Sequence, residues 1–169
     1  MTIGPERVIT LSYEVREDGP EGELIERMDN YYPFKFLFGT GKLLPAFEKH
    51  LLGLAEHSRF AFTLSPGEAY GKVEEGNIAS IPLEVFKSSP QYRGITLYPG
   101  LFVSLTDDLG EVHHGKIIEL SDKEARVDFN HALAGKTLFF SGVVLNIRPA
   151  SADELIRQHF IEADGVHRV

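Results

Sequence analysis

The sequence predicts an α+β fold: an antiparallel domain interrupted by a second, β-rich unit. Three observations carry this. The early part of the chain holds alternating apolar runs around one short helical stretch. From about Val73 these give way to shorter strand-like runs between proline- and turn-rich segments. A long apolar run, Thr137 to Ile147, then restores the earlier character. Period-two alternation marks a half-buried strand, and turn residues between such runs favour antiparallel pairing.

The elements follow in order. Between Arg7 and Val15, Ile9, Leu11, Tyr13 and Val15 alternate with Val8, Thr10, Ser12 and Glu14, which reads as a strand. Arg16 to Leu24, "REDGPEGEL", reads as a turn on composition. Pro33 to Gly39 places Phe34, Phe36 and Phe38 on one face of a second strand, ended by "GTGK". The stretch "LLPAFEKHLLGL" is the best helix: Pro45 suits a first helical position and Gly53 a C-terminal cap, with Phe47, Leu51 and Leu54 at helical spacing. So short a helix must be held by packing rather than by propensity. In "RFAFTL", Phe60, Phe62 and Leu64 align on a further strand. The middle of the chain reads as a unit with its own core, built on runs Leu101–Thr106, Val112–Leu120 and Ala125–Phe129. After Thr137–Ile147, Ser151 to Phe160 reads as a short helix, with Ser151 and Glu154 spaced as a capping box.

Composition narrows function. The chain has 169 residues with 43% hydrophobic content, enough for a core, and a formal net charge of −8, which argues against a nucleic-acid backbone as partner. It has no cysteine, so thiolate catalysis, disulfides and cysteine-ligated metals are excluded, and a reducing compartment, the cytoplasm, is expected. The opening "MTIGPERVITLSYEV" lacks a basic region followed by an apolar run, so no signal peptide is expected. No run approaches the length of a membrane span.

The usual catalytic sets are missing. There is no G-x-S-x-G, and "GTGKLL" lacks the first glycine of a phosphate loop. Among seven histidines only His113 and His114 are adjacent, and neighbours on a strand face opposite sides, so they make poor joint ligands. Asn130 and His131 precede Gly135 in a turn-like segment and are expected to be structural. What stands out is a concentration of aromatics: Tyr13, Phe34, Phe36, Phe47, Phe60, Phe62, Tyr70 and Phe140. Their plain role is core. Their sharper role is an apolar cleft with phenol hydroxyls at its rim. Such a cleft suits rotation about an X–Pro amide, which needs neither nucleophile nor proton shuttle.

Two segments carry a family resemblance. "YYPFKFLFGTGKLLPAFEKHLLGL" followed by "LSPGEAYGK" resembles the FKBP-type peptidyl-prolyl cis/trans isomerases. "VDFNHALAGKTLFFSGVVLNI" is similar to the N-H-x-L-A-G segment of their SlyD-like branch, which inserts a chaperone domain into the flap. The resemblance implies an FKBP-like half-open antiparallel sheet wrapped on a short helix, with the β-rich domain inserted. The implied domains are an isomerase body over 1–73 and 129–150, an insert-in-flap chaperone domain over 74–128, and a C-terminal helical extension over 151–169. By position, the resemblance implies that Tyr13, Phe34, Leu43, Leu44, Phe47, Tyr70 and Phe140 form the proline site, with Phe36 as the second P-F-x-F aromatic. Phe47 stands where many members carry tryptophan. Glu26 stands where the family usually carries aspartate, and the extra methylene shifts the carboxylate by about 1.5 Å.

The expected function is isomerisation of X–Pro bonds in folding polypeptides, with unfolded clients held by the insert. The competing reading is an FKBP-fold chaperone or adaptor with weak or no isomerase activity, suggested by Glu26 and Phe47. Candidates for the client surface are Ile78, Ile81, Val85, Phe86, Tyr92 and Leu97; the alternative for each is the insert's own core. The partners expected are unfolded or proline-containing polypeptides, with no nucleic acid, no membrane and no cofactor. The sequence ends in "ADGVHRV" rather than the histidine-rich tail of some SlyD-like members, so no metal site is expected.

Overall fold

The computed structural model describes residues 1–162; the remainder of the 151–169 extension lies outside them. In chain order the strands and helices are β1 (Arg7–Glu17), β2 (Leu24–Met28), β3 (Phe34–Leu37), α1 (Pro45–Leu51), β4 (Arg59–Leu64), β5 (Ile78–Pro82), α2 (Leu83–Ser88), β6 (Phe102–Thr106), β7 (Val112–Leu120), β8 (Glu124–Asp128), β9 (Leu138–Pro149) and α3 (Ala152–Arg157). The chain divides into two compact units, Met1–Gly71 with the chain from Gly135 onward, and Lys72–Ala134.

The first unit is an antiparallel sheet in the order β2–β1–β9–β4, with β3 also pairing β1. Strand β1 is long enough to take two partners along one edge. Its first half pairs β3, from Val8 opposite Leu37 to Leu11 opposite Phe34, and its second half pairs β2 from Tyr13 opposite Met28. On its other edge it pairs β9 throughout, with a bulge between Thr10 and Leu11. The strict alternation in β4 buries Phe60, Phe62 and Leu64 and exposes the residues between them. Those side chains pack toward α1, whose buried residues are Phe47 and Leu51. Helix α1 starts at Pro45 as expected, with Leu44 as its N-cap, and Gly53 follows its C-cap Leu52 at φ +88°, a conformation that favours glycine. Strand β2 lies in a segment whose charged, turn-like character hid it; only Ile25 and Met28 are half-buried there.

At the C-terminal side, the Ser151–Glu154 capping box forms as expected, although α3 ends at Arg157. Glu154 does more than cap. It is 1% exposed, takes a two-pronged bond from the Arg148 guanidinium at 2.7 and 2.8 Å, and accepts the Ser151 and Ile161 amides at 2.9 and 2.7 Å. A buried carboxylate is tolerable only when so completely paired. The Arg148 bonds, then the backbone donors, hold its pKa down to about 2 against burial. Because the folded value lies below the unfolded one, this stabilisation is present above the ordinary carboxylate range and is lost as pH falls from about 4.5 toward 2. Glu154→Gln should therefore cost on the order of 2 kcal/mol near neutral pH, discounted for the partly exposed arginine, and close to nothing at pH 2. Urea titrations of both proteins across that range would check it.

The second unit is a four-stranded antiparallel sheet in the order β5–β8–β7–β6. Its core is Phe86, Val103, Leu105, Ile117, Ala125 and Val127. The three strands expected from composition lie within a residue of their expected starts, at β6, β7 and β8. Helix α2 and strand β5 were not expected, because "IPLEVFKSSP" reads as turn-rich. A six-residue helix has little stability of its own, and burial of Phe86 to 2% exposure supplies it here. Asn130 links the two chain segments at the unit's open end. Its side chain accepts the Glu74 amide at 3.0 Å and donates to the Glu74 carbonyl and the Asp128 carboxylate at 3.1 and 2.7 Å.

Candidate active site

The first unit gathers most of the aromatic candidates into one cluster. Phe47 is its centre: its ring lies 6.2 Å from Tyr13, 6.3 Å from Phe36, 5.8 Å from Phe62 and 5.2 Å from Phe140, in edge or tilted geometry. Such offsets match the ring quadrupoles better than face-to-face stacking. Tyr13 contacts Phe34 edge-on at 5.7 Å, and Phe34 stacks on Phe36 at 5.4 Å. The rings come from four different elements. Tyr13 projects from β1, Phe34 and Phe36 from β3, Phe47 from α1, and Phe140 from β9, where its backbone pairs both Val15 and Phe62. Phe34, Leu43 and Leu44 are half-buried and the other rings named so far are buried, so the cluster opens on the side of β3 and the approach to α1.

Polar groups gather around Tyr13. Its phenol is pushed well above its ordinary pKa, first by burial, then by the Glu26 charge and by the hydrogen bond it donates to the Glu26 carboxylate. The nearby Tyr70 adds to the same effect. Glu26 sits opposite Val15 across the β1–β2 pair, two residue pairs along from Tyr13 and Met28 and so on the same face. The longer side chain therefore still reaches the tyrosine, and the Tyr13 hydroxyl stays protonated and oriented. Tyr70 is 38% exposed, after the turn that ends β4. Phe62, which closes the cluster at 5.3 Å from Phe140 and carries His50 stacked on its outer side at 4.5 Å, was not among the expected site residues. Its signal was the alternation of "RFAFTL", which placed it on the same face as Phe60 and Leu64.

The candidate client residues divide. Phe86 is 2% exposed and belongs to the core of the second unit, which corrects the expectation that it is surface. Ile81, Tyr92 and Leu97 pack against that core. The Tyr92 hydroxyl is engaged by the backbone of Ser104, accepting its amide at 2.7 Å and donating to its carbonyl at 3.2 Å. Ile78 is half-buried and Val85 is 38% exposed. Sequence reasoning missed larger exposed groups: Phe102 at 71%, Val112 at 54% and Tyr98 at 53%. Phe102 and Val112 sit on the face of their strands opposite the core, where apolar residues break the expected alternation. His113 and His114 do have separate partners, Asp107 at 2.8 Å and Ser104 at 2.7 Å. Asp107, Glu111 and His113 form an exposed trio whose ligand-type atoms lie within 4.8 Å, and Asp107 there also accepts the Leu109 and Glu111 amides of its own turn.

Comparison with known proteins decides the family. No family model matches the chain. Over 98% of its length it is 35% identical to the FKBP-type peptidyl-prolyl cis-trans isomerase SlyD of Aeromonas hydrophila, covering 74% of that protein. The chain belongs to the FKBP-type peptidyl-prolyl cis-trans isomerases, in their SlyD-like branch. The SlyD proteins of Helicobacter pylori and Escherichia coli K12 are each 30% identical to it, over 92% and 94% of this chain and 80% and 77% of theirs. The antiparallel sheet on a short helix is the fold that the family resemblance implied. Among the described residues no helix of this FKBP-type chain is long and apolar enough to cross a membrane.

Proposed function

We propose that the chain accelerates cis/trans isomerisation of X–Pro bonds in polypeptides, in the cluster around Tyr13, Phe34, Phe47 and Phe140. The observation that carries this is the oriented Tyr13 hydroxyl set in a wall of aromatic rings. Twisting an amide costs roughly 18–20 kcal/mol because resonance is lost. The twisted state is less charge-separated than the planar one, so an apolar wall favours it over water. Hydroxyls at the rim, from Tyr13 and Tyr70, hold the flanking peptide groups, and Leu43 and Leu44 line the entrance with backbone. Glu26 fixes the Tyr13 hydroxyl and takes no part in proton transfer, since none is needed.

In the same reading, residues 74–128 are a chaperone insert and its clients are unfolded chains. Val85, Ile95, Tyr98, Phe102 and Val112, all exposed, are the apolar groups available to them. Holding a chain on the same molecule as the site raises its local concentration, which matters because uncatalysed isomerisation takes tens of seconds.

The deciding experiment follows isomerisation of a short proline peptide and of a proline-limited refolding protein with the whole chain. Acceleration of both is expected, and more for the protein. Tyr13→Phe should lower kcat/KM by roughly tenfold while costing less than about 1 kcal/mol of stability, since Glu26 is exposed and is re-solvated when the bond is lost. No acceleration of either substrate, with aggregation of an unfolded client still suppressed, would leave only the adaptor reading.

A further inference from the structure

We propose that residues 152–162 act as a strap that holds β3 and the Gly39–Leu44 loop in place, and with them one wall of the proline site, through the positioning residues Lys35 and Lys42. This rests on the site reading above.

The strap has a fixed root. Helix α3 is too short to stand alone; Glu154 ties it to β9 through Arg148 and holds the far end of the segment through the Ile161 amide. Arg148 also donates to the Ile161 carbonyl at 3.3 Å, closing the return of the chain. From that root the strap reaches two places. The Lys35 ammonium lies 3.1 Å from the Glu162 carboxylate and 5.9 Å over the Phe160 ring. The Lys42 ammonium donates to the Gln158 carbonyl at 2.6 Å, at the residue that caps the end of α3. A cation there complements the carbonyl end of a helix.

Both lysines sit beside the site without entering it. Lys35 lies between Phe34 and Phe36, and neighbours on a strand point to opposite faces, so the strap bears on the reverse side of the ring wall. Lys42 precedes Leu43 and Leu44. Among the described residues strand β3 has β1 as its one strand partner, and the loop after it is further tied by the Phe38 amide to the Arg7 carbonyl at 3.0 Å, the Thr40 hydroxyl to the Leu37 carbonyl at 3.5 Å, and the Gly39 amide to the Glu48 carboxylate at 2.9 Å. A four-residue strand and a glycine loop with so few ties belong to the least stable parts of a fold. Catalysis by positioning is sensitive to small displacements of exactly such walls. The two lysine ties are partly exposed, so each adds little to global stability. Their effect is on the geometry of the wall.

The test uses the whole chain carrying Lys35→Met and Lys42→Met together, which keeps the aliphatic stems and removes the ties. The KM for a proline peptide is expected to rise roughly three- to tenfold with kcat within about twofold. Tm should fall by less than about 4 °C. Amide exchange should quicken over 34–44, and Lys35→Arg with Lys42→Arg should restore both KM and exchange. Unchanged KM and exchange in the methionine variant would overturn the strap. If the parent chain itself fails to accelerate isomerisation, the site reading fails, and the exchange measurement still decides the strap: faster exchange over 34–44 supports it, and unchanged exchange overturns it.

Discussion

Gly142→Ala is expected to destabilise the first unit by about 3 kcal/mol or more, within the range of severe overpacking. A Cβ at this position would meet the Ser12 carbonyl oxygen at 2.0 Å, and the Phe60 ring and the Tyr13 Cα at 2.8 Å each. The first of these is backbone, which cannot swing aside. Gly142 pairs Tyr13 on one side and Phe60 on the other, so it stands at the crossing of β1, β9 and β4. Relief requires the central strands to part beneath the ring cluster. Urea denaturation should show a lower midpoint with an unchanged slope, and the surviving folded protein should isomerise proline peptides poorly because Tyr13 has moved. A midpoint within experimental error of the parent would show that β1 and β9 have more room than the structure gives them.

Phe47→Ala should be as costly, about 3–5 kcal/mol, because it empties the centre of the cluster. Phe47 is 5% exposed and contacts rings from β1, β3, β4 and β9, so no single neighbour can fill the space. The separation of folding from function comes from Phe47→Leu. It keeps an apolar side chain of moderate volume and should leave the protein folded, with kcat/KM on a proline peptide at least about tenfold lower. Full activity in Phe47→Leu would show that the floor of the site needs only apolar bulk and not a ring. Calorimetry alongside the peptide assay distinguishes the two outcomes.

Much of this was legible in the sequence, for definable reasons. Strands with one buried face announce themselves by alternation, so β1 and β4 could be read directly; the long β9 showed as a continuous apolar run, and β6 and β7 as short apolar runs between turn residues. Helix α1 was marked by Pro45 and Gly53, two residues with strong positional preferences. The capping box at Ser151 is equally local. Strand β2 and helix α2 were hidden because their existence depends on partners far along the chain. Exposed and charged, Leu24–Met28 forms a strand since the second half of β1 offers a free edge. Leu83–Ser88 forms a helix since Phe86 finds a core waiting beneath it.

The same division runs through the site. The list of aromatics and its family pattern came from sequence, and so did the expectation that Tyr13, Phe47 and Phe140 act together. The sequence could not rank Phe86 as core and Phe102 as surface, because both are lone phenylalanines in short elements and only the completed sheet decides which face is covered. Nor could it show that Glu26 reaches the Tyr13 hydroxyl despite its added methylene, that Phe62 closes the ring cluster, or that Glu154 is a buried anchor rather than only a cap. The sequence by itself determined the elements with local signals, the family, and the chemistry that the chain lacks. The tertiary structure decided which side chains meet, since contacts between residues as distant as Lys35 and Glu162 or Tyr13 and Phe140 are set by strand register and not by any local preference.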